Sequence, residues 1–143
     1  RFSSGLFGKG SYLAEDAAKI DQYCTADSPG KDGLDGLHRI LYTAKGIAQP
    51  EKVFYVFACR VTLGYPLFTK DGKEGTSGGP VFADEDEREL AMVPGVDPPI
   101  YHHAMVAQSG KKHDGYKLER HREFVVFHSG QILPEFLIAY VRE

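Results

Sequence analysis

Nine consecutive residues, Val53-Phe54-Tyr55-Val56-Phe57-Ala58-Cys59-Arg60-Val61, are almost all apolar, β-branched or aromatic, with a single charge among them. Such side chains suit a pleated surface better than a helix, so the run commits the chain to a sheet. Extended over Lys52 to Leu63, it predicts a central strand covered on both faces. The next 36 residues are its opposite. Gly64 to Pro99 carries six glycines, five prolines and the acidic run Asp84 to Glu89. That composition predicts a long irregular stretch, either functional or mobile.

The remaining elements are short. Gly5, Gly8 and Gly10 predict a turn, and Ser11 to Ala14 a strand. Glu15-Asp16 suits a helix start, where acidic groups face the positive end of the dipole, and Ala17 to Tyr23 carries good helix formers. Thr25 to Gly33 reads as a loop. Leu34, Leu37, Ile40 and Leu41 predict a second helix over about Leu34 to Ala44. Tyr101 to Ala107, Arg122 to Phe127 and Phe136 to Val141 read as strands, with a polar turn over Ser109 to Gly115. The expectation is a single α+β domain with one or two helices and mostly antiparallel strands.

Length and charge exclude several classes. A chain of 143 residues fits one domain. The formal net charge of −3 offers no basic surface for nucleic acid, so no direct nucleic-acid contact is expected. No apolar run approaches the ~20 residues of a membrane helix, and no signal peptide opens the chain. Cys24 and Cys59 belong to no paired-cysteine ligand motif and read as reduced, partly buried thiols. They suggest an intracellular protein, nuclear or cytoplasmic. The six histidines lack zinc-site spacing, so no metal is expected. The opening Arg1-Phe2-Ser3-Ser4, without methionine, is expected to begin a fragment of a longer protein.

Three patterns imitate chemistry. Gly5 to Ser11 fails as a phosphate loop because Gly10 separates Lys9 from Ser11. Gly75-Thr76-Ser77-Gly78-Gly79-Pro80-Val81 resembles the nucleophile loop of chymotrypsin-like proteases. Only 76 residues precede Ser77, however, and His38 lies in a helical pattern, so a Gly/Ser turn is the better reading. The acidic run Asp84 to Glu87 reads as a solvated face rather than a glycosidase carboxylate pair. Glu123 is different. It stands among Arg122, Phe124, Val125, Val126 and Phe127, where a carboxylate must face solvent, be paired or be functional. Composition alone favours the surface.

Taken together, the two ends resemble a known family. Gly5-Leu6-Phe7-Gly8-Lys9-Gly10-Ser11-Tyr12-Leu13-Ala14, then Lys19 and Tyr23-Cys24, resemble the poly(ADP-ribose) polymerase catalytic domain, related to diphtheria toxin. Tyr55 to Gly64 looks like that family's next central strand. Arg122 to Phe127, Gln131 and Pro134 to Tyr140 look like its closing strands. The resemblance implies an ADP-ribosyltransferase fold with a split β-sheet core, of which 1–143 is the C-terminal part. It implies transfer of ADP-ribose from NAD+ to a protein acceptor, as a single unit or a polymer, with release of nicotinamide. A catalytically inactive binding or scaffold module of the same family is the alternative.

The site residues follow from the match. The family works with a His-Tyr-Glu triad, in which Tyr12 corresponds to the tyrosine and Glu123 to the glutamate. Tyr23 corresponds to a second tyrosine that stacks on the nicotinamide ring. Lys19 corresponds to a lysine near the site, Leu13 and Ala14 to positions lining the nicotinamide pocket, and Arg1 to an arginine of the loop over NAD+. The histidine is expected upstream of Arg1. Ile20 departs from the family, which usually has a serine there to bond the nicotinamide carboxamide.

Overall fold

The computed structural model describes residues 3–108, 112–113, 116–117 and 121–142. The chain divides into two compact units, one of Arg1–Ile20 with Arg60–Leu133 and one of Asp21–Cys59 with Pro134–Glu143. The secondary structure is α+β, with mixed and antiparallel sheets and few helices.

The first unit is built on a five-stranded sheet. Its strands are β1 (Ser3–Gly5), β2 (Gly8–Ala14), β4 (Pro66–Thr69), β5 (Ala104–Ala107) and β8 (Glu123–Val126), in the spatial order β1-β2-β8-β5-β4. The glycine turn closes a β1–β2 hairpin, with Gly5 opposite Gly8. β2 runs antiparallel to β8, pairing Ser11 with Val126, Tyr12 with Val125, Leu13 with Phe124 and Ala14 with Glu123. β8 runs antiparallel to β5, which puts Ala107 on the other side of Glu123. β4 and β5 are parallel. This pair departs from the mostly antiparallel pattern, because the long connection from Lys70 to His103 returns the chain to the sheet in the same direction. A short β6–β7 hairpin (Lys112–His113 and Tyr116–Lys117) begins in the predicted polar turn and ends just past it; residues 109–111 and 114–115 lie outside the described set.

Strand alternation assigns the two faces. Tyr12, Ala14, Glu123, Val125, Met105, Ala107 and Leu67 share one face by register. The core forms on it: Phe7, Leu67, Val81, Leu90, Met105, Ala107 and Val125 are all buried, with Tyr12, Phe82, Ala91 and Phe127 packed at their margin. Val81 and Leu90 come from the Gly/Pro-rich stretch. That segment is ordered by successive bridges, Thr69 to Gly75, Glu74 to Pro80, Phe82 to Leu90 and Met92 to Tyr101. Apart from β4 it is irregular, as its composition predicts, and it packs as a lid on the core. Val81 and Leu90, 1% and 2% exposed, each contribute roughly 1.5–3 kcal/mol toward holding the segment against the sheet. Ser77 lies in one such turn, closed by the Gly75 N–H donating to the Gly79 carbonyl at 3.0 Å.

The second unit holds α2 (Asp35–Leu41), a 3-10 turn at Thr43–Lys45, and most of the two-stranded sheet of β3 (Phe54–Val61) and β9 (Ile132–Tyr140). The central, doubly covered strand expected at Lys52 to Leu63 is therefore half of a ribbon, and Phe57 is 65% exposed. β-propensity specified the strand, while the number of neighbours is a matter of tertiary pairing that propensity does not encode. The segment between Asp27 and Val53 is tied at its base by two backbone hydrogen bonds, Asp27 N–H to Val53 O at 2.7 Å and Val53 N–H to Asp27 O at 3.0 Å. Both helices are shorter than their sequence patterns, since α1 runs only over Ala17–Asp21. Neither cysteine forms a disulfide, and both are half-buried.

Candidate functional site

Tyr12 is positioned by its own hairpin. Its hydroxyl accepts a hydrogen bond from the Phe7 N–H at 2.9 Å and donates one to the Gly8 carbonyl at 2.8 Å. The phenol thus folds back across the turn, which requires glycine at position 5, where an added Cβ would collide with the Tyr12 hydroxyl. Gly8 adopts φ +85°, a conformation that favours glycine. Burial pushes the Tyr12 phenol up to about 12, against the Phe7 hydrogen bond and with help from the negative charges of Glu123 and Glu87. The phenol is neutral at ordinary pH.

Glu123 opens β8. It pairs across the ladder with Ala14 on one side and Ala107 on the other. Flanked by two small residues, the carboxylate has room on a face where every other β8 position is apolar. Glu123 is only 8% exposed, so the expectation of a surface glutamate is corrected. Its charge is balanced by Lys19, whose Nζ lies 3.0 Å from Oε1. Lys19 reaches it from α1, whose first turn is capped by Asp16: Oδ1 accepts the Ala18 N–H at 2.8 Å, and the carbonyl accepts the Lys19 N–H at 3.1 Å. Tyr12 lies diagonally from Glu123 on the same face, two positions along β2 from its direct partner Ala14.

The fold therefore gathers Tyr12, Ala14, Lys19 and Glu123 in one unit, from positions as far apart as 12 and 123 in the chain. Leu13 is not gathered with them, since by alternation it shares the opposite face with Ser11, Phe124 and Val126. Ile20 follows Lys19 in α1 and is half-buried. Tyr23 belongs to the second unit, just after α1, and is 73% exposed. Arg1 lies outside the described residues. Sequence reasoning passed over Glu15, Asp16, His121 and Arg122, which surround this site. Their only signal was opposite charge at the two ends of a pairing that had not been drawn. Among the described residues, no group of three or more His, Cys, Asp or Glu side chains could hold a metal ion. No described helix is long and apolar enough to cross a membrane.

A neutral phenol and a buried, lysine-paired carboxylate on one sheet face suit a reaction that develops positive charge beside an aromatic surface. No curated protein matches the chain. The family model described as Poly(ADP-ribose) polymerase catalytic domain matches residues 2–142, and the chain belongs to that family.

Proposed function

We propose that this chain acts in NAD+-dependent ADP-ribosyl transfer to a protein acceptor. The observation that carries the reading is the placement of Glu123, a carboxylate almost closed to solvent, on the same face as Tyr12. The family uses NAD+ as a substrate and supports an ADP-ribosyltransferase type of function. In that reaction the bond between nicotinamide and ribose breaks and the electron pair leaves with nicotinamide. The ribose carbon takes up oxocarbenium character before the acceptor's nucleophile bonds to it and releases a proton. Glu123 is the residue to stabilise the developing cation or to polarise a hydroxyl beside it. The Tyr12 ring offers a flat surface to the leaving group, and its hydroxyl, bonded within the hairpin, holds that ring in place. Ala14, a small side chain directly across the ladder from Glu123, keeps the approach to the carboxylate open.

A second reading rests on Ile20, which occupies the position where the family usually has serine. A hydrocarbon side chain offers no hydroxyl to a carboxamide, and one missing hydrogen bond costs about 0.5–1.5 kcal/mol. That loss favours an inactive binding module. The experiment is the transfer of label from NAD+ by the full-length chain and by Glu123→Gln. The active reading expects Glu123→Gln to lose about 10²–10³-fold in kcat. Equal labelling by both forms removes Glu123 from the mechanism. Ile20→Ser is expected to tighten NAD+ binding by up to about tenfold.

A further inference from the structure

The backbone ladder between β2 and β8 ends at Ala14 and Glu123, but its register does not. One position further, Glu15 stands opposite Arg122, and one beyond that, Asp16 stands opposite His121. Side chains take over the pairing there. Arg122 grips Glu15 with two donors, Nε to Oε1 at 3.1 Å and Nη2 to Oε2 at 2.5 Å. His121 Nδ1 donates to Asp16 Oδ2 at 2.8 Å. The other oxygen of Asp16 holds the first turn of α1, and from that turn Lys19 reaches back to Glu123. The contacts close a ring: from the start of β8 to the end of β2, through α1 and back to Glu123.

The Glu15–Arg122 partners are about half exposed, at 51% and 45%. Exposed pairs of this kind contribute little to stability, typically ~0–1 kcal/mol. A bidentate guanidinium–carboxylate contact does fix direction, however, because its planar fork admits one geometry. The Arg122 guanidinium also lies 5.4 Å from the Phe124 ring centroid, which limits its swing. We propose that Glu15, Asp16, His121 and Arg122 form a positioning clamp that extends the β2–β8 ladder through side chains and holds the Glu123 carboxylate and Lys19 in one fixed arrangement. The clamp serves the transfer reaction and so rests on the function proposed above. None of its four residues touches the reacting atoms.

The test uses the full-length chain with Arg122→Ala, Arg122→Lys, the exchange Glu15→Arg with Arg122→Glu, and Glu123→Gln. NAD+ turnover and amide hydrogen exchange are the two readouts. Arg122→Ala is expected to lower kcat about tenfold with little change in KM for NAD+, the mark of lost alignment rather than lost binding. Arg122→Lys recovers part of the rate and the exchanged pair most of it, since the bidentate contact can re-form in reverse. Exchange at Leu13, Ala14, Glu123 and Phe124 accelerates in Arg122→Ala, while the β4–β5 amides stay protected. An inactive Glu123→Gln beside an unimpaired Arg122→Ala overturns the clamp alone. A fully active Glu123→Gln overturns the transfer reading and the clamp's purpose with it. Unchanged exchange in Arg122→Ala overturns the clamp whatever the activity.

Discussion

Lys19 Nζ stands 3.0 Å from Glu123 Oε1, with the two side chains 18% and 11% exposed. A pair this sheltered is worth more when intact than either partner is alone. Removing one ion leaves the other desolvated and uncompensated, which costs about 3–5 kcal/mol in a fully buried pair. With some exposure remaining, Lys19→Met is expected to lower unfolding stability by roughly 2 kcal/mol. The double substitution Lys19→Met with Glu123→Leu is expected to be less destabilised than Lys19→Met alone, because no stranded charge remains. Urea unfolding of the parent, Lys19→Met, Glu123→Leu and the double variant checks this. A double mutant whose loss equals or exceeds the sum of the singles would show that the pair carries no such coupling.

Tyr12→Phe leaves the ring and takes away both hairpin hydrogen bonds. The N–H of Phe7, a residue that is itself 1% exposed, then has no hydroxyl to donate to. The expected loss is about 1–3 kcal/mol. The phenol also couples folding to alkali. Its folded-state value of about 12 lies above the ordinary 10.0. The folded chain therefore holds this proton more tightly than the unfolded chain does. That stabilisation is complete below pH 10 and fades as pH rises toward 12. Ultraviolet titration of phenolate absorbance is expected to lose one late-titrating tyrosine in Tyr12→Phe, and stability between pH 10 and 12 should fall less steeply than in the parent.

Gly8→Ala tests the seat of the lid. The added Cβ would lie 2.6 Å from Phe82 Cζ and 2.7 Å from the Glu87 carbonyl oxygen, at a φ that alanine disfavours. The same carbonyl accepts the Lys9 N–H at 3.0 Å, so the clash falls where the lid is fastened to β2. Overpacking and strain together predict a loss of about 2–4 kcal/mol. Limited proteolysis between Asp84 and Glu89 is expected to quicken before the sheet itself unfolds. Parent-like cleavage would mean that the lid is held elsewhere.

These particulars show what local pattern can and cannot reveal. β2 was legible from the glycines before Ser11 to Ala14, and β8 from the apolar run Phe124 to Phe127. Glu123 was legible as an anomaly, a carboxylate inside an apolar run. Its burial was not, since this depends on Ala14 and Ala107 across two ladders and on Lys19 from a helix 104 positions away. β4 was hidden because it begins at Pro66 and lies among glycines, and only its pairing with β5 makes it a strand. The run at 53–61 was legible as a strand and misread as central, because composition does not count neighbours. Leu13 and Ala14 came from the family match, and the ladder puts the two on opposite faces of the sheet.

The second unit carries its own polar centre, and it predicts an acid limit. Asp27 is 2% exposed, and its Oδ2 accepts three hydrogen bonds: His38 Nε2 at 2.7 Å, Gln49 Nε2 at 3.0 Å and the Tyr55 hydroxyl at 3.0 Å. Oδ1 has no hydrogen-bond partner among the described residues. Burial pushes this carboxyl up, but the hydrogen bonds from His38 and Tyr55 and the charge of His38 outweigh it and hold the group below its ordinary 3.8. A carboxyl depressed on folding contributes stability that is complete above its ordinary value and is lost as pH falls through the depressed one. The segment closed by the Asp27–Val53 backbone pair is therefore expected to open below about pH 4. Asp27→Asn removes the charge that three donors converge on, and is expected to cost roughly 3 kcal/mol at neutral pH. The acid limb should flatten in this variant, because no carboxyl remains there to protonate. Exchange of the Val53 amide, which donates to the Asp27 carbonyl, reports the opening directly. An Asp27→Asn protein whose Val53 amide keeps the parent's acid profile would place the acid-sensitive group elsewhere.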